Sequence, residues 1–210
     1  HVAEWLELLS SRELVARAAT SERRGAAEYP FGPALVREAA YAMLTQDDRA
    51  LGHRLAGAWL EAAGSSDAMA LAEHFRRGAE PGRAVRWYER AAEQALKAND
   101  LAAAIERAEL GLSCGAVGEE AGALRLVEAE AHVWRGEFAK AEHHALEATE
   151  ARPVGSASWL RAVGSAIVSA AKQGKLDVVE DRVRRVSQTQ PEAGARGAQI
   201  SCLAWGATYL

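Results

Sequence analysis

The stretch that decides the fold is Gly136-Glu137-Phe138-Ala139-Lys140-Ala141. Stretches of the same character lie at Asn99-Asp100-Leu101-Ala102-Ala103-Ala104 and at Gly174-Lys175-Leu176-Asp177-Val178-Val179. They recur about every 37 or 38 residues, a spacing typical of proteins built from repeated units. Each joins a turn residue to the start of an amphipathic pattern, so we predict a turn followed by a helix at all three places.

Two prolines support the same register. Pro153 follows Gly136 at the interval at which Pro191 follows Gly174. Because proline cannot continue a helix, each unit is predicted to end at an equivalent place. Such an array is typical of proteins that hold a segment of another protein, and the sequence does not name that segment.

Length and composition exclude several classes of protein. The chain has 210 residues, of which 49% are hydrophobic, so it can bury a substantial core and is not a disordered tail. Its 25 basic and 29 acidic residues give a net charge of -4 spread along the chain, which argues against general nucleic-acid binding. Neither an apolar run of about 20 residues nor a signal pattern is present, so we expect a cytoplasmic protein without a membrane partner.

Apolar residues at helical spacing, separated by Gly, Pro and Asn, predict a helical chain. Within the stretch from Glu119 to Arg135, for example, Leu124, Val127 and Trp134 fall on one stripe. The predicted helices are Ala34 to Leu44, Asp47 to Ala63, Asp67 to Arg77, Gly82 to Ala98, Asp100 to Leu112, Glu119 to Arg135, Glu137 to Ala151, Ser156 to Gln173, Lys175 to Thr189 and Gly194 to Leu210. Their short connections force antiparallel neighbours, and such thin hairpins stack into a solenoid.

The last predicted helix carries Cys202, Leu203, Trp205 and Tyr209 near its end. A terminal repeat should present a polar capping face instead. We therefore expect the array to be truncated at its C-terminal end.

The N-terminal part has a different pattern. Leu14-Val15-Ala16-Arg17 and Glu28-Tyr29-Pro30-Phe31 flank the polar stretch Ser21-Glu22-Arg23-Arg24-Gly25, which predicts a hairpin of a small α+β unit. Pro30 favours an edge strand, because it has no N–H to donate. Pro33 fits the first turn of the helix that follows.

Two units carry a pattern of small residues and a closing proline: Gly136, Ala141, Ala148 and Pro153, then Gly174, Val179, Val186 and Pro191. This pattern resembles the tetratricopeptide repeat (TPR), which has small residues where paired helices approach and a proline at the exit. The units here are longer than the usual length of about 34 residues. The family's aromatic and leucine positions of the first helix are occupied by Arg125, Glu128 and His132. The resemblance implies a right-handed superhelix of antiparallel helix pairs.

The register before Asn99 has two interpretations. Ala84, Tyr88 and Ala91 match the second helix of the family's repeat. The spacing from Asn99, however, makes the same segment a first helix. Both cannot hold.

A second resemblance rests on residues 31–41, Phe31-Gly32-Pro33-Ala34-Leu35-Val36-Arg37-Glu38-Ala39-Ala40-Tyr41, and on Leu55-Ala56-Gly57-Ala58-Trp59-Leu60. They resemble the junction between the winged-helix region and the helical repeats of large bacterial signal-transduction ATPases. The resemblance implies the sensor arm of a regulatory ATPase or serine/threonine kinase, with a winged-helix-like remnant and junction over residues 1–44 and a repeat array over residues 45–210.

Motifs for catalysis or metal binding are weak. Gly174-Lys175 is followed by leucine, so the Gly-Lys-Ser/Thr ending of a phosphate-binding loop is missing. Glu142-His143-His144 is the densest histidine group, with His132 expected nearby, and a solvated helix face is its favoured interpretation. Cys114 and Cys202 lack a partner motif and are predicted to be reduced core thiols.

In a TPR-like superhelix the first helices of the pairs line the concave face. The resemblance places nine residues there as candidates for partner binding: Arg86, Glu89, Glu93, Lys97, Glu130, Trp134, Arg161, Val168 and Lys172. Mixed charge around an aromatic residue suits an extended peptide or an amphipathic helix. A salt-bridged solvent face is the alternative for the charged residues, and a core position is the alternative for Trp134.

The basic run Arg182, Arg184 and Arg185 has two interpretations as well. Three arginines within four positions of a helix suit DNA phosphates. The adjoining Glu180 and Asp181 favour a solvated face.

We therefore predict an all-α, TPR-like right-handed solenoid behind a small winged-helix-like remnant. Its predicted function is non-catalytic binding of a protein or peptide, or of the parent's own ATPase or kinase domain, with no cofactor and no metal. The alternatives are a small-molecule or metal-dependent activity housed between helices and weak DNA binding by the winged-helix-like part.

Overall fold

The computed structural model describes residues 2–18 and 28–210, whose secondary structure consists of helices and one isolated β-bridge. The all-α prediction is confirmed at this level. The helices are α1 (Val2–Ser11), α2 (Ala34–Met43), α3 (Gln46–Ala62), α4 (Ala68–Arg77), α5 (Pro81–Lys97), α6 (Leu101–Ser113), α7 (Gly118–Trp134), α8 (Phe138–Glu150), α9 (Ala157–Lys172), α10 (Leu176–Gln188) and α11 (Arg196–Tyr209). None of the helices in these two segments is long and apolar enough to cross a bilayer.

Every helix predicted from Ala34 onward is present, and its ends differ by only a residue or two from those predicted. The additional helix is α1, in a segment for which the sequence pattern predicts no element. Its apolar residues Trp5, Leu8 and Leu9 lie at helical spacing. The stretch is short, however, and no capping motif marks it as a helix.

The contacts divide the chain into two compact units. One contains the residues up to Ser65 together with Arg77–Ala79, and the other contains Ser66–Arg76 and everything from Glu80 to Leu210. The domain boundary predicted between residues 44 and 45 stays a prediction.

The first unit contains the predicted hairpin partners. Val15 and Phe31 form an antiparallel bridge, and the amide of Ala16 donates to the carbonyl of Pro30 at 2.9 Å. The pairing is thus present, but as a single bridge rather than as two strands, since Pro30 cannot donate a hydrogen bond. The predicted turn at Ser21–Gly25 lies outside the described residues, and the winged-helix-like remnant stays a prediction.

The first unit buries few apolar side chains. No residue of α1 or α2 is buried, and among the described residues of this unit only Val15 and Leu60 are buried hydrophobic residues. Trp5 and Met43 are largely exposed. The hydrophobic stabilisation of this unit is therefore small compared with that of the second unit.

The second unit is built from consecutive helix pairs. From α5 to α11 each helix packs against the one that follows it. In addition, α7 packs against α5 and α9, and α9 packs against α11. The chain therefore alternates between the odd-numbered helices, which contact one another, and the even-numbered helices that connect them.

The three turns that the repeat predicts have one conformation. Asn99, Gly136 and Gly174 adopt positive φ angles of 59°, 73° and 76°, which Asn and Gly tolerate best. In each case the amide of the next residue donates to a carbonyl five positions earlier: Asp100 to Ala95, Glu137 to His132 and Lys175 to Ala170. These helix-ending hydrogen bonds confirm the predicted turn and helix at all three places.

Small side chains allow the paired helices to approach closely. Ala104, Ala141 and Val179 occupy equivalent positions of α6, α8 and α10, and all three are fully buried. At Gly111 of α6 a β-carbon would lie 2.8 Å from the Leu124 side chain. The Gly111 approach joins α6 to α7, whereas the equal turns at Asn99, Gly136 and Gly174 make α5/α6, α7/α8 and α9/α10 equivalent in the register counted from Asn99.

Candidate functional site

The second unit contains an apolar groove of about 630 Å³. Its lining comes from α7, α9 and α11, with Phe138 added from the start of α8. These are the helices that contact one another along the unit, so the groove follows their shared face.

Aromatic residues on the two outer helices line the sides of the groove. Trp134 ends α7 and is 75% exposed, and Trp205 of α11 is 52% exposed. Tyr209, one turn after Trp205, lies beside it in the lining. The core alternative for Trp134 is therefore wrong, because α7 ends there and leaves the indole in solvent.

The floor of the groove belongs to α9. Leu160, Gly164 and Val168 line it at helical spacing. A β-carbon at Gly164 would meet only the sulfur of Cys202, at 3.9 Å. Since Gly164 has no side chain, the floor is open at its middle.

Cys202 of α11 is a buried thiol next to the floor, as predicted, whereas Cys114 is only half-buried. Burial raises the pKa of Cys202 to about 11. The thiol is therefore neutral at physiological pH and contributes an apolar surface rather than a nucleophile.

Three charged residues border the groove. Arg161 of α9 makes two hydrogen bonds with the carboxylate of Glu130 on α7, at 3.0 and 2.8 Å. The ammonium of Lys172 lies 5.4 Å from the centre of the Tyr209 ring. Within residues 2–18 and 28–210, no carboxylate lies within ion-pair distance of Lys172. Of the three charged residues at the groove, Lys172 is therefore the one whose charge is not neutralised by an ion pair.

Five of the nine predicted partner-binding residues meet in this groove: Glu130, Trp134, Arg161, Val168 and Lys172. The other four lie on α5 and do not line it. Lys97 pairs with Glu93 at 3.4 Å, and Arg86 is exposed. Glu89 is half-buried, and this burial raises the pKa of its carboxyl.

No protein-family model, curated protein or solved structure matches this chain. The TPR resemblance and the parent ATPase or kinase therefore stay predictions. The assignment of a function rests on the geometry of the described residues.

The sequence pattern does not predict the α11 side of the groove. Trp205 and Tyr209 are apolar residues near the end of the chain, and they are interpreted above as a sign of truncation. The sequence feature that could have indicated this side is the spacing of four residues between Trp205 and Tyr209, which places both on one face of α11. It identifies one face of α11, but not what that face borders.

Most of the basic run is a solvated face, as favoured by the sequence: Arg184 and Arg185 are exposed, whereas Arg182 is partly buried. Arg182 donates to the Glu142 carboxylate at 2.8 Å and to the Ala166 carbonyl at 2.7 Å. Arg184 pairs with Glu180 at 3.0 Å, and the guanidinium of Arg185 lies 5.5 Å from the centre of the Trp159 ring. All three cations already have partners, which argues against their use on DNA phosphates.

Glu142 is the centre of an ionic network between α8 and α10. Its carboxylate accepts hydrogen bonds from Arg182, from Lys175 at 2.7 Å and from Gln173 at 2.9 Å. Burial alone would raise the pKa of Glu142, but the hydrogen bonds from Lys175 and Arg182 outweigh it and lower the pKa. Glu142 is thus ionised and links α8 to α10 through its ion pairs.

The residues that cluster around the histidines differ from the group that the sequence predicts. His143, His144 and Glu147, rather than Glu142, offer ligand atoms within 4.8 Å of one another. Arg125 already lies in this cluster, with Nε 3.1 Å from Glu147 and Nη1 3.3 Å from Nδ1 of His144. A metal cation would be repelled by that guanidinium. We therefore assign no metal to these residues.

Proposed function

We propose that this chain is a non-catalytic binding module whose groove, formed by α7, α9 and α11, holds a peptide segment of a protein partner. The observation that carries this proposal is the exposure of Trp134 and Trp205 at the border of one apolar groove. Tryptophan is among the residues that contribute most to protein–protein binding energy. Two exposed indoles around an open floor suit an apolar side chain of a partner.

The charges of the groove indicate the chemistry of that segment. Arg161 is neutralised by Glu130, whereas Lys172 is not neutralised. A carboxylate on the partner would therefore find its complement at Lys172. We propose an acidic segment that places a large apolar side chain between Trp134 and Trp205.

We also propose that the helix pairs form a TPR-like right-handed solenoid, with the groove on its concave face. The equal turns at Asn99, Gly136 and Gly174 support this arrangement, because equal turns rotate successive pairs alike. The module would serve as the regulatory arm of a signalling ATPase or kinase. It would shift that enzyme between states by differential affinity, and this part rests on the resemblance of residues 31–41 and 55–60.

The test is a selection from a random-peptide library on the whole chain. We expect the selected peptides to combine a large apolar residue with acidic residues. Trp134→Ala and Trp205→Ala should each weaken the best peptide by about tenfold or more, as expected for central aromatic anchors. Trp5→Ala is the matched control, because Trp5 is an exposed tryptophan of the first unit, outside the groove lining.

Two results would contradict the proposal. One is a selection that enriches no peptide above background. The other is a set of peptides whose affinity is insensitive to both groove tryptophans but sensitive to Trp5→Ala.

A further inference from the structure

The α5/α6 pair and the α9/α10 pair each contain a hydrogen bond between their two helices, at equivalent positions. Arg107 of α6 donates through Nη1 to the carbonyl of Ala91 at 2.9 Å. Arg182 of α10 donates in the same way to the carbonyl of Ala166 at 2.7 Å. The two bonds lie at equivalent positions of the repeat, and an arginine side chain and a backbone carbonyl do not change charge between pH 5 and 8.

The α7/α8 pair replaces this bond by titratable side chains. At the position of the two arginines stands His144, and at the position of the two alanines stands Glu128. Nδ1 of His144 lies 3.4 Å from the carboxylate of Glu128, which is 1% exposed. One turn further along α7, where the other pairs have Ala95 and Ala170, stands His132, also buried.

The two histidine rings contact each other across the pair. Their centres are 5.3 Å apart and their planes are inclined by only 12°, so the rings are stacked. Protonation of both rings would place two positive charges face to face in a largely buried site. That arrangement is costly, because little water is present to screen the repulsion.

Several charged groups surround the rings. Arg125 of α7 lies 3.3 Å from Nδ1 of His144, and Glu147 of α8 lies at the same distance on another side. Glu109 acts on Glu128 from α6. The groups facing His132 are Glu137, whose carboxylate is 2.8 Å from Nδ1, and the cations Lys140 and Arg135. His143, whose ring centre is 5.2 Å from that of His144, completes the cluster.

The position of Arg125 makes the site sensitive to protonation. A neutral His144 can accept the hydrogen of the guanidinium, because Nδ1 then has a free lone pair. A protonated His144 can only donate and would have to turn to Glu128 or Glu147 instead. Arg125 uses the same two carboxylates, at 2.9 Å from Glu128 and 3.1 Å from Glu147, so the two cations would compete for them.

We propose that the stacked histidines His132 and His144 make the α7/α8 contact acid-sensitive, so that their protonation loosens this helix pair while the flanking pairs keep their packing. Because α7 ends at Trp134, loosening also displaces one side of the groove, and this consequence rests on the proposed function. The switch would then reduce peptide binding at acidic pH.

The pKa values support the direction. Burial lowers the pKa of His132 and of His144 below the ordinary value of 6.5. The unfolded chain then binds more protons than the folded chain as the pH falls below 6.5, so stability is lost on acidification. Burial raises the pKa of Glu128, and its protonation acts in the opposite sense, stabilising the fold at low pH.

The test is amide hydrogen exchange on the whole chain at about pH 7.5 and 5.5, corrected for the intrinsic exchange rates. We expect protection in α7 and α8 to fall relative to α5 and α6 by at most about tenfold for each histidine, because pH 5.5 lies one unit below the ordinary pKa of 6.5. A variant with E128A, H132A and H144R copies Ala166, Ala170 and Arg182 of the α9/α10 pair. It should show equal protection changes in all pairs.

The proposal would be overturned if, in the wild-type chain, acidification changed the exchange protection of α7/α8 and α5/α6 equally. It would also be overturned if the triple variant still lost as much α7/α8 protection on acidification as the wild type. If the triple variant does not fold, His144→Gln serves in its place and must reduce the effect. Exchange needs no bound peptide. A failed switch is therefore distinguishable from a failed peptide selection at neutral pH.

Discussion

The α9/α10 pair and the α7/α8 pair have the same turns but different interiors. The core around α9 consists of Trp159, Leu160, Ile167 and other apolar residues, with Val179 and Val186 from α10. The inner face of α7 buries apolar residues such as Leu124 and Val127 too, but it also buries Glu128 and His132. The comparison teaches that the repeat fixes the backbone through turn and small-residue positions, whereas the side chains between the helices are free to carry another chemistry.

The two regions also differ in whether their buried carboxylates are paired with permanent cations or with groups that titrate near neutral pH. Between α8 and α10 the carboxylate of Glu142 is held by Arg182 and Lys175, which are cations over the whole physiological pH range. Between α7 and α8 the groups beside Glu128 include His144, and the charge of a histidine changes near neutrality. We therefore expect the sites of Glu142 and Glu128 to respond differently to mutation and to pH.

The largest expected effect comes from Arg182→Ala. The loss of both hydrogen bonds leaves Glu142 short of one cation and the Ala166 carbonyl without its partner, so we expect a loss of about 2–4 kcal/mol in unfolding free energy. Arg107→Ala is the matched control, since Arg107 is at the equivalent position and donates to the Ala91 carbonyl. It should lose only about 1 kcal/mol in the same urea titration. Equal losses would show that the Glu142 network adds nothing.

The next effect tests the close approach of helices. Gly111→Ala places a methyl group 2.8 Å from Leu124 and 3.1 Å from Tyr88, and we expect a loss of about 1–3 kcal/mol. Gly164→Ala meets only Cys202 at an ordinary distance, and it should instead raise stability by about 0.5–1 kcal/mol, as alanine does in helices. Thermal unfolding of the two variants shows whether each substitution lowers or raises the stability. A stabilising Gly111→Ala would contradict the packing described here.

A pH series sharpens the contrast between the Glu142 network and the stacked histidines. The lowered pKa of Glu142 means that its stabilisation is complete above the ordinary value of 4.5 and is lost only as the pH falls below it. The difference in unfolding free energy between the wild type and Glu142→Gln should therefore be constant between about pH 7.5 and 5.5 and shrink at lower pH. A difference that already shrinks near pH 6.5 would show that the acid-sensitive group is at the Glu142 network and not at the stacked histidines.

The smallest effect is expected at the border of the groove. Arg161 and Glu130 form a two-bonded pair, but the Arg161 side chain is half exposed. Solvent screens such pairs, so Arg161→Ala should change the unfolding free energy by less than about 1 kcal/mol. Chemical denaturation of this variant beside Arg182→Ala compares a surface pair with the interior one. A loss as large as that of Arg182→Ala would contradict this distinction.

Much of the helical framework is predictable from the sequence. The spacing of Asn99, Gly136 and Gly174 locates three turns and fixes the register, because left-handed turns need Asn or Gly and small residues must follow at fixed offsets. Helix α1 is not predictable in this way, since it belongs to no repeat. The hairpin partners Val15 and Phe31 are predictable as neighbours, whereas the extent of their pairing is not.

The candidate site is predictable only in part. Repeat register brings Glu130, Arg161 and Lys172 onto one face, because equivalent positions of α7 and α9 lie side by side. Register cannot show that Trp134 is exposed, since a tryptophan on an alanine-rich stripe also suits a core. The partners of Glu142 are separated from it by more than thirty positions, and no local pattern indicates such contacts.

The most direct test of the central claim uses the repeat itself. Trp134 occupies the position held by Lys97 in α5 and Lys172 in α9, so Trp134→Lys replaces the groove tryptophan by the residue of the flanking pairs. Calorimetric titration of the chain with the best library peptide should show affinity reduced by about tenfold or more, with the melting temperature unchanged. Unchanged affinity in a folded Trp134→Lys variant would contradict the assignment of this groove as the binding site.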